Sequence, residues 1–195
     1  SAYMGVTWLL MDGDGRPHVI YGGSDGTFEA VLESNGLWAK TPLDVTGAFI
    51  PQLDSAGRLW WLLVVTEDTG GHPPIYDTAL YLHRPDDSPG NQGEPIDARH
   101  DWRYTADFVL RGDIPHLVYN AGSDSIMYRW LAPAGWQEHE LLAANDGKLN
   151  LVLANYGEPQ ARVAFTHENH LKIAYRSLVF SHGENVFLPG VLGSP

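Results

Sequence analysis

The sequence predicts an all-β fold made of four repeated units, and three observations lead to this prediction. The segment 15–21 (Gly-Arg-Pro-His-Val-Ile-Tyr) recurs in closely similar form at 113–119, and weaker copies lie at 57–63 and 157–165. The 21 Gly and 13 Pro of this 195-residue chain suit many short strands joined by turns. No segment shows a long apolar repeat with a period of about 3.6 residues, so we expect almost no helix.

Each unit is expected to contain antiparallel strands joined by hairpins, four in the complete pattern. The second unit keeps the strand order of the first but carries two long loops, at 66–77 and 85–95. A chain of this length can bury one sizeable core, so a single domain over 1–195 is expected. The predicted units are 4–44, 45–99, 100–142 and 143–191, and their strands are 6–11, 17–21, 27–32, 38–43, 49–53, 59–65, 78–83, 105–110, 115–119, 126–131, 136–142, 149–154, 160–165, 171–177 and 185–188.

The apolar pattern of segment 59–65 distinguishes between two all-β architectures. In a stacked sandwich one face of each strand meets water, so polar and apolar residues alternate. The segment 59–65 (Leu-Trp-Trp-Leu-Leu-Val-Val) does not alternate, as expected for a strand that is covered on both faces. Four-stranded units of this length that share an axis form the blades of a β-propeller. The sequence therefore predicts a β-propeller of about four four-stranded antiparallel blades, either closed or part of a larger ring.

Composition limits the partners of the chain. The formal net charge is −12, with 12 Lys and Arg against 24 Asp and Glu, so no nucleic-acid-binding surface is expected. With no Cys, the chain has neither a disulfide framework nor a thiolate metal site. No apolar run approaches the ~18 residues of a membrane-spanning helix, so no membrane insertion is expected. Absence of Cys also suits an exported bacterial protein, and we expect an extracellular or cell-surface location.

Two stretches share a recognisable motif. The segment 12–21 reads Asp-x-x-Gly-x-Pro-His-Val-x-Tyr, and 113–119 repeats its second half before Tyr128 and the pair Gly135-Trp136. This pattern resembles a repeat common in bacterial β-propeller proteins, and it is similar to the repeats of propeller lectins, sialidase-like propellers and polysaccharide-lyase propellers.

The resemblance implies a propeller and leaves three classes of function open. We favour a non-catalytic module that binds carbohydrate or another surface ligand. The alternatives are a carbohydrate-active enzyme (a polysaccharide lyase or glycoside hydrolase, or a fragment of one) and a structural assembly module. Assembly would involve a homo-oligomer or a partner chain that completes the ring.

One face of the predicted propeller collects the candidate ligand-binding residues. Turns between second and third strands share this face with the connections between blades, and loops on a rigid scaffold often carry function. Turn propensity alone is the alternative explanation for each Asp. We expect Tyr76 and Trp102 to stack on sugar rings and the other side chains to bind hydroxyls. The candidates are Asp25, Tyr76, Asp77, His100, Trp102, Asp124, Asp146, His167 and His170, and Asp25, Asp124 and His167 in particular should share one face.

We assign no catalytic residue and expect no cofactor, although calcium remains open as a ligand. His18 and His116 are repeat equivalents, so we expect them to be structural, packed between blades and bonded to a backbone or carboxylate group. The segment 12–15 (Asp-Gly-Asp-Gly) resembles the start of a calcium loop but lacks the distant bidentate Glu, so a hairpin turn is expected. His167 and His170 are three residues apart on a predicted turn, which is not the helical spacing of a zinc motif.

Overall fold

The computed structural model describes residues 7–45, 47–70, 76–88, 91–100, 105–120, 125–142, 152–154, 160–167 and 170–177. The side chains of residues 76, 99, 100, 139, 141 and 142, and those of the three strands after residue 150, lie outside this description. Every regular element within the described ranges is a β-strand.

The strands form four separate antiparallel sheets. Each sheet follows chain order, so every connection within a sheet joins neighbouring strands. The first sheet contains β1 (Trp8–Met11), β2 (Pro17–Gly23), β3 (Gly26–Leu32) and β4 (Trp38–Leu43); the second contains β5 (Ala48–Leu53), β6 (Leu59–Asp68), β7 (Tyr76–His83) and β8 (Glu94–His100); the third contains β9 (Ala106–Arg111), β10 (Ile114–Asn120), β11 (Ile126–Ala132) and β12 (Gly135–Leu142); the fourth contains β13 (Val152–Ala154), β14 (Gln160–His167) and β15 (His170–Ser177).

These sheets confirm the predicted all-β fold, with the four-stranded antiparallel blades of a β-propeller. The fourth sheet has three strands within the described residues, and the strand predicted at 185–188 lies outside them. The chain divides into two compact units, residues 1–103 and 104–195. The first unit holds the first and second sheets, and the second unit holds the third and fourth. The expectation of a single domain stays a prediction.

Strand ends depart from the predictions at two hairpins and at one connection between sheets. The predicted loop 66–77 is wrong at both ends, because β6 continues to Asp68 and β7 begins at Tyr76. Cross-strand pairing continues through Glu67 and Asp77 although the side chains are polar, since the backbone ladder does not require apolar residues. His100, predicted in a connection between blades, is the last residue of β8.

In the fourth sheet, too, the strands extend into a segment that was predicted as a turn. The segment 167–170 was predicted as a turn, but His167 ends β14 and His170 begins β15, where the two residues are cross-strand partners.

The core of the first unit lies between its two sheets. Ile20 is fully buried and forms one cluster with Leu59, Trp61 and Leu63 of β6, against which Trp8 of β1 also packs. All five residues from Leu59 to Leu63 are buried, so β6 is covered on both faces as its unbroken apolar run predicted. Complete burial of one such side chain stabilises the fold by about 1.5–3 kcal/mol.

Two equivalent turns align the first and second sheets. A Cβ added to Gly57 in the β5–β6 turn would lie 3.2 Å from the Cβ of Asp12, which precedes the β1–β2 turn. A Cβ added to Gly13 would lie 3.3 Å from the backbone oxygen of Ser55. The β1–β2 and β5–β6 turns therefore pack against each other.

Candidate functional site

A cavity of about 290 Å³ lies on the second sheet, and we call it the acidic cavity. It combines two carboxylates, an aromatic ring, an amide and a hydroxyl with short apolar side chains. The residues that line it are Val65, Glu67, Asp77, Thr78, Ala79, Tyr81, Gln92 and Ala98.

The alternation of β-strand side chains builds this cavity. Asp77, Ala79 and Tyr81 occupy every second position of β7, so they project from one face of the sheet. Ala79 pairs with Val65 on one side and with Ala98 on the other. The two alanines are short, and they leave space in the middle of the sheet face. The cavity therefore has an apolar floor with polar groups at its ends.

The two carboxylates lie directly opposite each other. Glu67 and Asp77 are cross-strand partners near the end of the β6–β7 hairpin. Like charges at directly opposed positions destabilise a sheet. None of the described residues that line the cavity is a Lys or Arg. The cavity therefore has two carboxylates at one end, and Tyr81 and Gln92 lie toward the other.

The opposite end of the second sheet also holds a carboxylate, but this one is enclosed by donors. Oδ1 of Asp54 accepts hydrogen bonds from the backbone N–H groups of Ala56 (3.0 Å) and Arg58 (2.8 Å). Oδ2 of Asp54 accepts hydrogen bonds from Nε of Arg58 (2.9 Å) and from the indole Nε1 of Trp60 (3.2 Å). Burial acts to raise the pKa of Asp54, but these donors and the Arg58 charge hold that pKa below its ordinary value.

The first sheet repeats this turn with a histidine in place of Trp60. Asp12 accepts hydrogen bonds from the backbone N–H of Arg16 (2.8 Å) and from its Nε (2.7 Å). Burial again acts to raise the pKa of Asp12, and the bonds from Arg16 and His18 lower it below its ordinary value. Nε2 of His18 lies 3.5 Å from Oδ2 of Asp12, and Nδ1 lies 2.7 Å from Oε1 of Glu29. Two carboxylates thus flank one buried imidazole.

The predicted structural role of the two strand histidines agrees with their surroundings. His18 and His116 are both buried, at 4% and 5% exposure. His18 bonds carboxylates, as predicted, and both of these belong to its own sheet. His116 Nδ1 lies 2.6 Å from the hydroxyl of Tyr128, a kind of partner that the prediction did not include.

A third buried imidazole lies beyond Tyr81 on the same strand. The ring of His83 stacks on Trp61 with centroids 3.9 Å apart, and the residue is 6% exposed. Burial lowers the pKa of His83 below its ordinary value, although the Asp87 charge and the Arg84 backbone act in the opposite direction. Burial beside the core therefore disfavours the charged form of the His83 imidazole.

Three of the predicted ligand residues lie at neighbouring backbone positions near the end of the β6–β7 hairpin. Asp77 lines the cavity, His100 is its cross-strand partner on β8, and Tyr76 precedes it on β7. Asp25 is exposed in the β2–β3 turn, where it accepts a hydrogen bond from Ser24 Oγ at 2.8 Å, and it does not line the cavity.

The structure does not test whether the remaining candidates belong to this group. His167 and His170 belong to the second unit, where they are cross-strand partners in the β14–β15 hairpin. Trp102, Asp124 and Asp146 lie outside the described residues. The prediction that Asp25, Asp124 and His167 share one face therefore stays a prediction.

Three cavity residues were not predicted from the sequence: Glu67, Tyr81 and Gln92. The first two were missed because 66–77 was interpreted as a loop and Tyr81 as an ordinary strand residue. Extending the β6–β7 pairing by three residues places Glu67 opposite Asp77, and a period of two places Tyr81 on the face of Asp77. Gln92 has no such signal, because it reaches the cavity from the irregular segment after β7.

The described residues lack two features, a metal-binding cluster and a membrane-spanning helix. They contain no group of three or more His, Cys, Asp or Glu that is arranged to hold a metal ion. They also contain no helix with the length and apolar character needed to cross a membrane.

Comparison with known proteins gives a distant structural similarity. No family model matches the chain, and no curated protein matches it. A chain from a structural and mechanistic study of two prolyl endopeptidases is similar over 96% of this chain and 36% of its own length, with 11% sequence identity and a TM-score of 0.42. This chain therefore spans about a third of the length of that one, and the description of its fold rests on its own sheets.

Proposed function

We propose that this protein is a non-catalytic β-propeller binding module that recognises carbohydrate in the acidic cavity. The observation that carries the proposal is the combination of groups at one place on the second sheet. Tyr81 supplies an aromatic ring, Glu67 and Asp77 supply carboxylates, and Gln92 supplies an amide. Recognition of an external glycan also suits the expected extracellular or cell-surface location.

This combination matches the chemistry of a sugar ring. Sugar hydroxyls donate to carboxylates such as Glu67 and Asp77, and the amide of Gln92 both donates and accepts. The apolar C–H face of a sugar packs on an aromatic ring, and Tyr81 supports that contact. The volume of 290 Å³ is close to the lower end of the about 300–1,000 Å³ that ligand sites occupy, which suits one or two sugar units.

The residues that line the cavity favour one of the two enzyme alternatives over the other. Elimination from a uronate needs a cationic group near the substrate carboxylate, and the described lining residues include no Lys or Arg. A glycoside hydrolase uses two carboxylates, and the Glu67–Asp77 pair favours that class as the second candidate. The two candidates differ in whether the bound glycan is cleaved.

A glycan array probed with the labelled protein tests the proposal. We expect binding to a restricted set of glycans, and we expect Tyr81→Ala to lose most of it. Asp86→Ala serves as the control, because the Asp86 side chain is 86% exposed and lies outside the cavity. Failure to bind any glycan contradicts the proposal. Release of reducing ends from a bound glycan would instead support the hydrolase.

Light scattering tests the assembly alternative separately. A strict monomer with one cooperative melting transition contradicts an assembly role and leaves the binding proposal intact.

A further inference from the structure

We propose that Asn35 is a site of spontaneous deamidation, in which its side-chain amide is hydrolysed and the β3–β4 turn gains a negative charge. The pair Asn35-Gly36 is the one place in the sequence where Asn precedes Gly. It lies in the turn that joins β3 to β4, and every residue from 33 to 37 is exposed. The proposal goes beyond carbohydrate recognition, and it rests on the first sheet rather than on the cavity of the second.

The backbone of this turn leaves space for the reacting nitrogen. The N–H of Gly36 donates to the carbonyl oxygen of Glu33 at 2.9 Å, and the φ of Gly36 is 79°. A Cβ added to Gly36 would meet no atom within 4 Å, so nothing crowds this position. The backbone nitrogen of Gly36 and the side-chain carbon Cγ of Asn35 can therefore close a five-membered ring without obstruction by a side chain.

The amide group of Asn35 is polarised by the turn. Its Oδ1 accepts a hydrogen bond from the backbone N–H of Leu37 at 2.8 Å. When a nitrogen attacks Cγ, this oxygen gains negative charge, and a donor aimed at it lowers the energy of the intermediate. The leaving nitrogen, Nδ2, donates to Oε2 of Glu33 at 3.0 Å. The hydrogen bond of the Gly36 N–H has to open first, which costs little in an exposed turn.

The reaction consumes only water. The Gly36 nitrogen loses its proton to hydroxide and forms a bond to Cγ of Asn35, and the Cγ–Nδ2 bond breaks to release ammonia. Water then opens the resulting succinimide at either of its two carbonyl carbons, and the Gly36 nitrogen recovers its proton. Attack at Cγ gives aspartate, whereas attack at the main-chain carbonyl gives isoaspartate, in which the chain continues through the side chain. The net change is the addition of water and the loss of ammonia, with no oxidation.

Asn91 provides a matched site in the same chain. It is also exposed, and its Oδ1 also accepts a hydrogen bond from the backbone N–H two residues later, that of Gly93, at 3.1 Å. The residue that follows Asn91 is Gln92, whose side chain hinders the approach of its backbone nitrogen. The two asparagines therefore share exposure and a donor on Oδ1 but differ in the residue that attacks.

Deamidation should loosen β4, which lies at the edge of the first sheet. A carboxylate at position 35 would face Glu33 in place of the donor Nδ2, so an attraction is replaced by repulsion between like charges. Isoaspartate also lengthens the main chain by one methylene group, which the turn does not accommodate. We expect faster amide hydrogen exchange in β4 of the aged protein, with exchange in β6 unchanged.

Peptide mapping by mass spectrometry of the folded protein, aged at physiological temperature, tests the proposal. We expect aspartate and isoaspartate at position 35, formed at least about tenfold faster than at Asn91. Raising the pH by one unit should accelerate the change about tenfold, because the attacking nitrogen must first lose its proton. Equal extents at the two asparagines would overturn the proposal. So would an Asn35 that stays intact in the folded protein, whether or not it reacts in urea.

Two variants locate the new charge. Asn35→Ser keeps a turn-forming residue and removes the amide, so the aged variant should lack the acidic species that the parent acquires in isoelectric focusing. Asn91→Ser is the matched control and should acquire that species at the rate of the parent. Acidic species that appear equally fast in Asn35→Ser would overturn the location. Unchanged exchange in β4 of the aged protein would overturn the loosening of that strand.

Discussion

The two ends of the second sheet use carboxylates in different ways. At the β5–β6 end, Asp54 accepts four hydrogen bonds, and two of the donors belong to Arg58. At the β6–β7 end, Glu67 and Asp77 lie opposite each other and line a cavity that has no basic residue in its described wall. About one strand length separates these arrangements.

This difference separates two settings for an acid in a chain that has 24 Asp and Glu. A carboxylate surrounded by donors from its own turn stabilises that turn, and the folded state depends on it. A carboxylate placed opposite another is repelled by it, and this repulsion costs stability. The comparison therefore predicts opposite consequences for substitutions at the two ends.

Asp54→Ala should have the largest effect on stability. The substitution removes the acceptor for Trp60 and Arg58, and the indole N–H then remains buried without its carboxylate. We expect the free energy of unfolding to fall by about 3 kcal/mol, measured by chemical denaturation. The exposed control Asp86→Ala should change it by less than about 0.5 kcal/mol. Equal effects of the two substitutions would contradict a structural role for Asp54.

Gly57→Ala should have the second largest effect, because two costs combine at this position. Gly57 has a φ of 74°, which disfavours any side chain, and its new Cβ would lie 3.2 Å from the Cβ of Asp12. Gly15→Ala is the matched control, since its φ is 77° but no atom lies within 4 Å of the added Cβ.

We expect Gly15→Ala to cost about 1 kcal/mol and Gly57→Ala about 2 kcal/mol, measured as free energies of unfolding. If both cost the same, then the β1–β2 and β5–β6 turns do not meet as described.

His83 makes the stability of the first unit sensitive to pH. Burial lowers its folded-state pKa below the ordinary value of 6.5, so the unfolded chain binds the proton more readily. Stability should therefore fall as the pH drops below 6.5 and continue to fall until the folded-state pKa is reached. In His83→Phe, which keeps a ring against Trp61, melting temperatures between pH of about 8 and about 5.5 should decline less than in the parent protein. An identical decline would exclude His83 as a cause.

Asp77→Asn should have the smallest effect on stability, and its sign distinguishes the two ends of the sheet. Removing one of two opposed charges should raise the free energy of unfolding by up to about 0.5 kcal/mol at low salt. Added salt should reduce this gain, because it screens the repulsion with Glu67. A loss comparable to that of Asp54→Ala would show that Asp77 stabilises the fold in the manner of Asp54.

The repeat was sufficient to predict the fold, because each copy marks the second strand of a sheet. Segment 59–65 gave both the position of β6 and its burial on two faces. The strand ends were harder to predict, since Glu67 and Asp77 are poor strand formers that continue a ladder begun by their apolar neighbours. Local propensity opposes this extension, and tertiary pairing overrides it.

For the same reason, only some of the residues near the cavity were predicted. Asp77 was identified as the last residue of the predicted loop 66–77, and its neighbour His100 by its place in a predicted connection between blades. Predicting Tyr81 as a cavity residue requires knowing which face of the sheet it occupies, and this depends on the register of β7. Gln92 comes from an irregular segment, and its approach to the sheet has no sequence signal. The structural role of His18 was predicted from the repeat. The hydrogen bond between His116 and Tyr128 could not be predicted without the pairing of β10 with β11.

A crystal structure of the protein with the glycan that it binds most tightly on the array tests the central claim most directly. We predict density for one sugar unit on Tyr81, with sugar hydroxyls within hydrogen-bonding distance of Glu67 and Asp77. Soaking Asp77→Asn under the same conditions should give weaker density at this place. Density for the sugar at another surface, with the acidic cavity empty, would contradict the assignment of the site.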